Sequence, residues 1–159
     1  MRCFLTRLIV FMIVNLPNLS WSQLELKRSD IFTKDNEIQL EPLKLEEAFP
    51  FFLSERSPGK YRVTWTLAPE HYLYRHAFNF TLLQTEKSEE QPIDSVLPEG
   101  LQKTDEFFGQ IEAYYDKLSV DLSLRTVPSP EAYIIIQYQG CADWGFCYPP
   151  QRTPLKLFP

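Results

Sequence analysis

The sequence predicts an all-β domain, a sandwich of short antiparallel strands, and three observations carry that prediction. Apolar and polar residues alternate from Tyr61 to Leu67 and again from Leu118 to Leu124, the pattern of a strand with one buried face. Ala132-Tyr-Ile-Ile-Ile-Gln-Tyr138 is a near-continuous apolar run, as expected of a central strand covered on both faces. Thirteen prolines, five glycines and 14% aromatic residues favour many short strands with shaped turns over a helical bundle.

The first 22 residues read as a secretory signal rather than as part of that sandwich. Arg2 and Arg7 flank the start of an apolar run, Leu8 to Val14 and on to Leu16, and Ser20-Trp21-Ser22 places small residues before a cleavage at Gln23. The run is short for a membrane span, which takes about 20 residues; an uncleaved anchor is the alternative. Cys3 would leave with the signal. Removing 22 of 159 residues leaves about 137, the size of one domain, and the loss of Arg2 and Arg7 takes the formal net charge from −5 to −7. So acidic a chain is unsuited to phosphate backbones, which excludes nucleic acid as a partner. The two remaining cysteines, in an oxidising compartment, suggest one disulfide.

The elements follow in order. Residues 23–41 are polar and mixed, an N-terminal arm with weak strand character at Glu37-Ile-Gln-Leu40, and the domain proper is expected over 42–159. Phe51-Phe52-Leu53 is a short apolar run, and Ser57-Pro-Gly-Lys60 signals a turn into the Tyr61–Leu67 strand. Tyr72-Leu-Tyr-Arg75 leads into a strand over Ala77–Leu83. Residues 84–103, charged and proline-containing, read as a surface loop. Ile111 to Leu124 holds two strand-like pieces, and Thr153–Leu157 supplies a last strand after Ala132–Tyr138. That makes about seven strands; no helix and no internal repeat is predicted.

Cys141 and Cys147 directly follow the strongest strand, with Gly145 between them and Tyr148-Pro149-Pro150 stiffening what comes after. On neighbouring antiparallel strands their Cβ atoms would lie about 4.5–5.5 Å apart, close to the 3.5–4.5 Å a disulfide needs. A seven-residue closed loop stabilises a fold by about 2.4 kcal/mol in the chain-entropy relation. Spacing alone therefore favours a structural hairpin staple. It leaves open a redox pair that exchanges with other proteins through mixed disulfides, and it is not the CxxC spacing of thioredoxin-like proteins.

The string Tyr138-Gln-Gly-Cys-Ala-Asp-Trp-Gly-Phe-Cys-Tyr-Pro-Pro150 closely resembles the signature of the N-terminal periplasmic domain of the thiol:disulfide interchange protein DsbD. Tyr72-Leu-Tyr-Arg75 resembles that family's tyrosine-rich strand, Asp105-Glu106-Phe107-Phe108-Gly109 its cap loop, and Leu45 to Phe51 its opening segment. The likeness runs from roughly 42 to 157. It implies an immunoglobulin-like β-sandwich with an inserted active-site sub-structure and a periplasmic location. It also implies a shuttle that takes reducing equivalents from a thioredoxin-like domain of a membrane electron-transfer protein. The acceptors it implies are thioredoxin-fold periplasmic proteins of disulfide-isomerase and cytochrome c maturation type. Cys147 would form the mixed disulfide, Cys141 would resolve it, and Phe107 would shield the pair.

Physical chemistry adds expectations of its own. Tyr72 and Tyr74 are expected to line the pocket and donate toward a departing thiolate, or else simply to pack. Asp105 and Glu106 beside the sulfurs are expected to oppose thiolate formation, or else to be a solvated loop face. Phe107 and Phe108 are lid residues or core, and Trp144, Phe146 and Tyr148 are candidate partner contacts. His71 and His76 have no metal-ligand companion, so no metal is expected, and no motif implies a cofactor. The rival function is a secreted binding or assembly module whose disulfide is only a staple.

Overall fold

The computed structural model describes residues 41–158. The signal-like segment, Cys3 and the arm with its expected strand at Glu37–Leu40 lie outside the described residues. A one-turn helix α1, Leu45–Ala48, is followed by twelve strands: β1 Phe51–Ser57, β2 Lys60–Thr66, β3 His71–Tyr74, β4 Asn79–Leu83, β5 Gln91–Pro92, β6 Asp94–Val96, β7 Leu101–Asp105, β8 Gly109–Tyr114, β9 Lys117–Ser123, β10 Tyr133–Tyr138, β11 Gly140–Ala142 and β12 Gln151–Lys156. They form three antiparallel four-stranded sheets, in the orders β1-β2-β9-β6, β12-β10-β4-β5 and β11-β3-β8-β7.

The first two sheets make the sandwich. Tyr61, Val63 and Trp65 of β2 and Leu118, Val120 and Leu122 of β9 supply one inner face; Phe80, Leu82, Ile134, Ile136 and Tyr138 supply the other. These are the alternating positions read from the sequence, in the register Val63↔Val120 and Trp65↔Leu118. The run over β10 sits between β12 and β4, and its central isoleucines are buried as expected. The polar outer face carries a cross-strand pair, Arg62 to Asp121 at 2.6 Å.

Two expectations need correction. Residues 84–103 are not one loop: they hold β5, β6 and the start of β7. Strands of two or three residues give no periodic signal, and Pro92 is accommodated because β5 is an edge strand. The helix α1 was likewise too short to leave a period in the sequence.

The third sheet positions the site. Leu73 of β3 and Tyr114 of β8 point into the sandwich core. Tyr72, Tyr74, Ile111 and Ala113, on the opposite face of the same strands, form a second buried cluster with Cys141. One short strand is thus a wall common to both clusters, which is why every residue from His71 to Tyr74 is buried.

Candidate active site

Cys141 lies in β11, paired with Tyr72 of β3, and faces Cys147 across an isolated antiparallel bridge. The flanking main-chain bonds run from Ala142 N–H to Phe146 O at 2.7 Å and from Tyr148 N–H to Gly140 O at 3.0 Å. The cysteines are therefore a non-hydrogen-bonded pair, the position in a ladder where facing side chains approach most closely. Their Cα atoms are 4.0 Å apart and the sulfurs are bonded. Gly145 turns the loop between them with φ of +98°, a conformation that costs glycine nothing.

Gly140 is there for a different reason. A Cβ at this position would lie 2.5 Å from the Tyr72 carbonyl oxygen and 2.7 Å from the Phe49 ring. Only glycine lets β11 lie this close to the tyrosine strand.

The two sulfurs differ in access. Cys141 is fully buried, whereas Cys147 is half-buried and lines a shallow hollow with Asp105, Phe107 and Asp143. The Tyr74 hydroxyl lies 3.0 Å from Cys141 Sγ and 3.7 Å from Cys147 Sγ. It also donates to Asp105 Oδ2 at 2.8 Å, and Tyr72 donates to the same oxygen at 2.6 Å. The other carboxylate oxygen accepts the N–H groups of Phe107 and Phe108, each at 2.9 Å. Asp105 is therefore buried and fully hydrogen-bonded, not a solvated loop face.

Burial alone would push the Asp105 carboxyl up, but the bonds from Tyr72, Phe108, Tyr74 and Phe107 outweigh it and hold the group below its ordinary range. Burial pushes the Tyr74 phenol up to about 12, helped by the Asp105 carboxylate. Burial, followed by the bond to Asp105, raises Tyr72 as well. At neutral pH the arrangement is a carboxylate accepting from two phenols, one of which also touches the sulfurs.

The cap segment is the tip of the β7–β8 hairpin, closed by the pair Asp105↔Gly109. Phe107 and Phe108 are 61% and 53% exposed, which rules out the reading of both as core. Phe107 lines the hollow beside Cys147. Phe108 sits edge-on against Tyr74 at 5.1 Å and His76 at 5.0 Å. In the cysteine loop, Trp144 stacks on Phe146 at 5.6 Å, both half-buried. Tyr148 is a correction: it is buried against Phe49, with ring centroids 5.0 Å apart, and its hydroxyl donates to Leu43 O at 2.9 Å. Its ring is packing, not a contact surface. Sequence reasoning missed Lys103 and Asp143, which also line the hollow, and Tyr115, whose hydroxyl bonds to Asp143. Their only signal was Asp143 inside the cysteine loop and Lys103 two residues before Asp105.

Residues 39–159 match the family "Thiol:disulfide interchange protein DsbD, N-terminal". The chain belongs to this DsbD N-terminal family. A DsbD of Colwellia psychrerythraea is 37% identical over 133 residues, 84% of this chain and 20% of that protein. DsbD 2 of Pseudomonas aeruginosa is 33% identical over 151 residues, 94% of this chain and 23% of that protein. The chain thus spans about a fifth of the length of these DsbD relatives. Among solved structures, the reduced DsbD N-terminal domain of Neisseria meningitidis superposes with a TM-score of 0.62 at 23% identity, covering 74% of this chain and 90% of that one. The same organism's DsbD N-terminal domain in complex with the PilB N-terminal domain gives a TM-score of 0.60 at 24% identity, covering 75% and 89%. The fold is the immunoglobulin-like sandwich of the DsbD N-terminal domain.

Proposed function

We propose that the domain is a periplasmic thiol–disulfide oxidoreductase module that passes electron pairs between thioredoxin-fold proteins through Cys141 and Cys147. The observation that carries this reading is the asymmetry of the pair: one sulfur is sealed beneath Tyr74, while the other borders an open hollow under a hairpin tip. In the dithiol form, the Cys147 thiolate attacks a sulfur of the partner's disulfide. A Cys147–partner bond forms and the partner's other sulfur leaves as a thiolate. The Cys141 thiolate then attacks Cys147 Sγ, closing the internal disulfide and releasing the partner as a dithiol. Two electrons move from domain to partner, and the dithiol of a thioredoxin-like donor restores them by the reverse sequence.

Tyr74 suits the second step. Its hydroxyl can accept from a Cys141 thiol, or turn its proton from Asp105 toward a Cys141 thiolate. Asp105 accepts from both phenols and so fixes the Tyr74 hydroxyl beside the sulfur. The signal-like order of residues 1–22 supports export, and the solved complex of the Neisseria relative supports docking of partner domains on this fold.

The test is a Cys141→Ala variant offered to oxidised thioredoxin-fold proteins. A mixed disulfide through Cys147 that persists until thiol is added is the expected product. If Cys147→Ala traps partners through Cys141 instead, the roles are reversed; if neither variant traps any, the bond is a staple.

A further inference from the structure

One side-chain cluster beside the cysteines takes no part in that exchange chemistry. Lys103 on β7 reaches Asp143 in the cysteine loop, Nζ to Oδ1, at 2.8 Å. The Tyr115 hydroxyl donates to the same oxygen, also at 2.8 Å. The ammonium lies 4.7 Å from the centre of the Tyr72 ring and 5.9 Å from that of Tyr115. Asp143 is fixed at its backbone too, its N–H donating to Glu70 O at 2.8 Å. A single cation thus joins the strand that carries the cap, the tyrosine strand, the turn after β8 and the cysteine loop. Hydrogen bonding to Asp143 raises the Lys103 pKa, so the group stays charged. The two side chains are 27% and 38% exposed, which leaves the pair sensitive to salt.

We infer that Lys103, Asp143 and Tyr115 are positioning residues that hold the cysteine loop in its closed shape after the disulfide has opened, keeping Cys147 within reach of Cys141. The inference rests on the exchange reading, in which the dithiol is a working state. In the disulfide form the covalent bond already fixes the loop, so the clamp adds little order there. In the dithiol form the clamp acts with the main-chain bonds of the loop and the packing of Phe146, and among the described residues it alone ties the loop's side chains to β7. Releasing the clamp therefore adds conformational freedom mainly to the dithiol. The clamp raises the effective concentration of one thiol at the other, and so favours ring closure and release of a bound partner.

The experiment is equilibration of the chain with glutathione. One protein disulfide and two glutathione thiols give one protein dithiol and one glutathione disulfide, two electrons passing to the protein. Lys103→Met and Asp143→Ala are each expected to shift this equilibrium toward the dithiol by about twofold to fivefold, the range of a partly exposed ion pair. The double variant should shift it by less than the product of the two. Both shifts should shrink in about 1 M salt, where the screening length is about 3 Å. Tyr115→Phe removes a hydrogen bond but no charge; a smaller shift in the same direction is expected, and this variant carries the test if a charge variant folds poorly. Opposite shifts for Lys103→Met and Asp143→Ala would overturn the inference, because bare charges acting on a thiolate must act with opposite sign. So would no shift in any of the three. Glutathione needs no protein partner, so these outcomes stand apart from a failure to trap one.

Discussion

Asp105 is the hub of the site's hydrogen bonding. Its carboxylate is the acceptor for two buried phenols and two backbone N–H groups of the hairpin tip. Asp105→Ala strands all four donors and is expected to lower stability by about 1–3 kcal/mol, measured by urea unfolding. The pH dependence has a defined sign. The folded-state pKa lies below the ordinary value of 3.8, so the stabilisation is present above that value and is lost as pH falls through the lower, folded one. Wild-type stability should drop through that window and the Asp105→Ala variant should drop less; parallel curves would exclude Asp105 as the cause. Asp105 was legible in the sequence as part of a motif but not as a hub, because its two phenol partners come from β3, 33 and 31 residues away.

At the level of elements, the β7–β8 hairpin is held at three places along its length. Lys103 ties β7 to the cysteine loop, the Asp105 carboxylate joins the closing pair of the tip to Tyr72 and Tyr74, and the ring of Phe108 rests against Tyr74 and His76. The sequence pointed to Phe107 as the lid. The geometry gives Phe107 the exposed place beside Cys147 and gives Phe108 the anchoring contacts. Aromatic pairs of this kind are worth about 0.5–1.5 kcal/mol beyond burial. Phe108→Ala should therefore speed reduction of the disulfide by a small phosphine about twofold to tenfold. Phe107→Ala, which leaves the anchor intact, should loosen the tip less, and the ratio of the two rates is the measurement. Two adjacent phenylalanines at a hairpin tip cannot be told apart by period or composition; the positions of Tyr74 and of His76, brought alongside by the 3-10 turn Arg75–Ala77, separate them.

Across the described residues, the sandwich core and the cysteine site are separate clusters joined through β3. The core owes nothing to the disulfide except about 2.4 kcal/mol of loop closure. A reduced chain should therefore remain folded, with an unfolding free energy lower by about that amount and a midpoint at lower urea concentration, and far-ultraviolet circular dichroism of the two forms should coincide below the transition. The long strands β2, β9 and β10 were legible because burial on one or both faces leaves a period of two or an apolar run. The short strands β5 and β6 were not, since pairing at a sheet edge requires almost nothing of the side chains. The Lys103–Asp143 pair, 40 residues apart, was invisible for the same reason that Asp105's hub was: contacts across a sheet are fixed by register, which no local pattern records.

If the domain exchanges disulfides as proposed, the bridge between Cys141 and Cys147 has a consequence for how partners meet it. Because the main-chain bonds lie on either side of the pair and none runs through it, breaking the sulfur bond need not break any rung of the ladder. The two redox forms can then present nearly the same outline to a visiting protein. A partner would tell a loaded carrier from an empty one at the moment of reaction, by whether Cys147 Sγ can attack or be attacked, rather than by the shape it first meets.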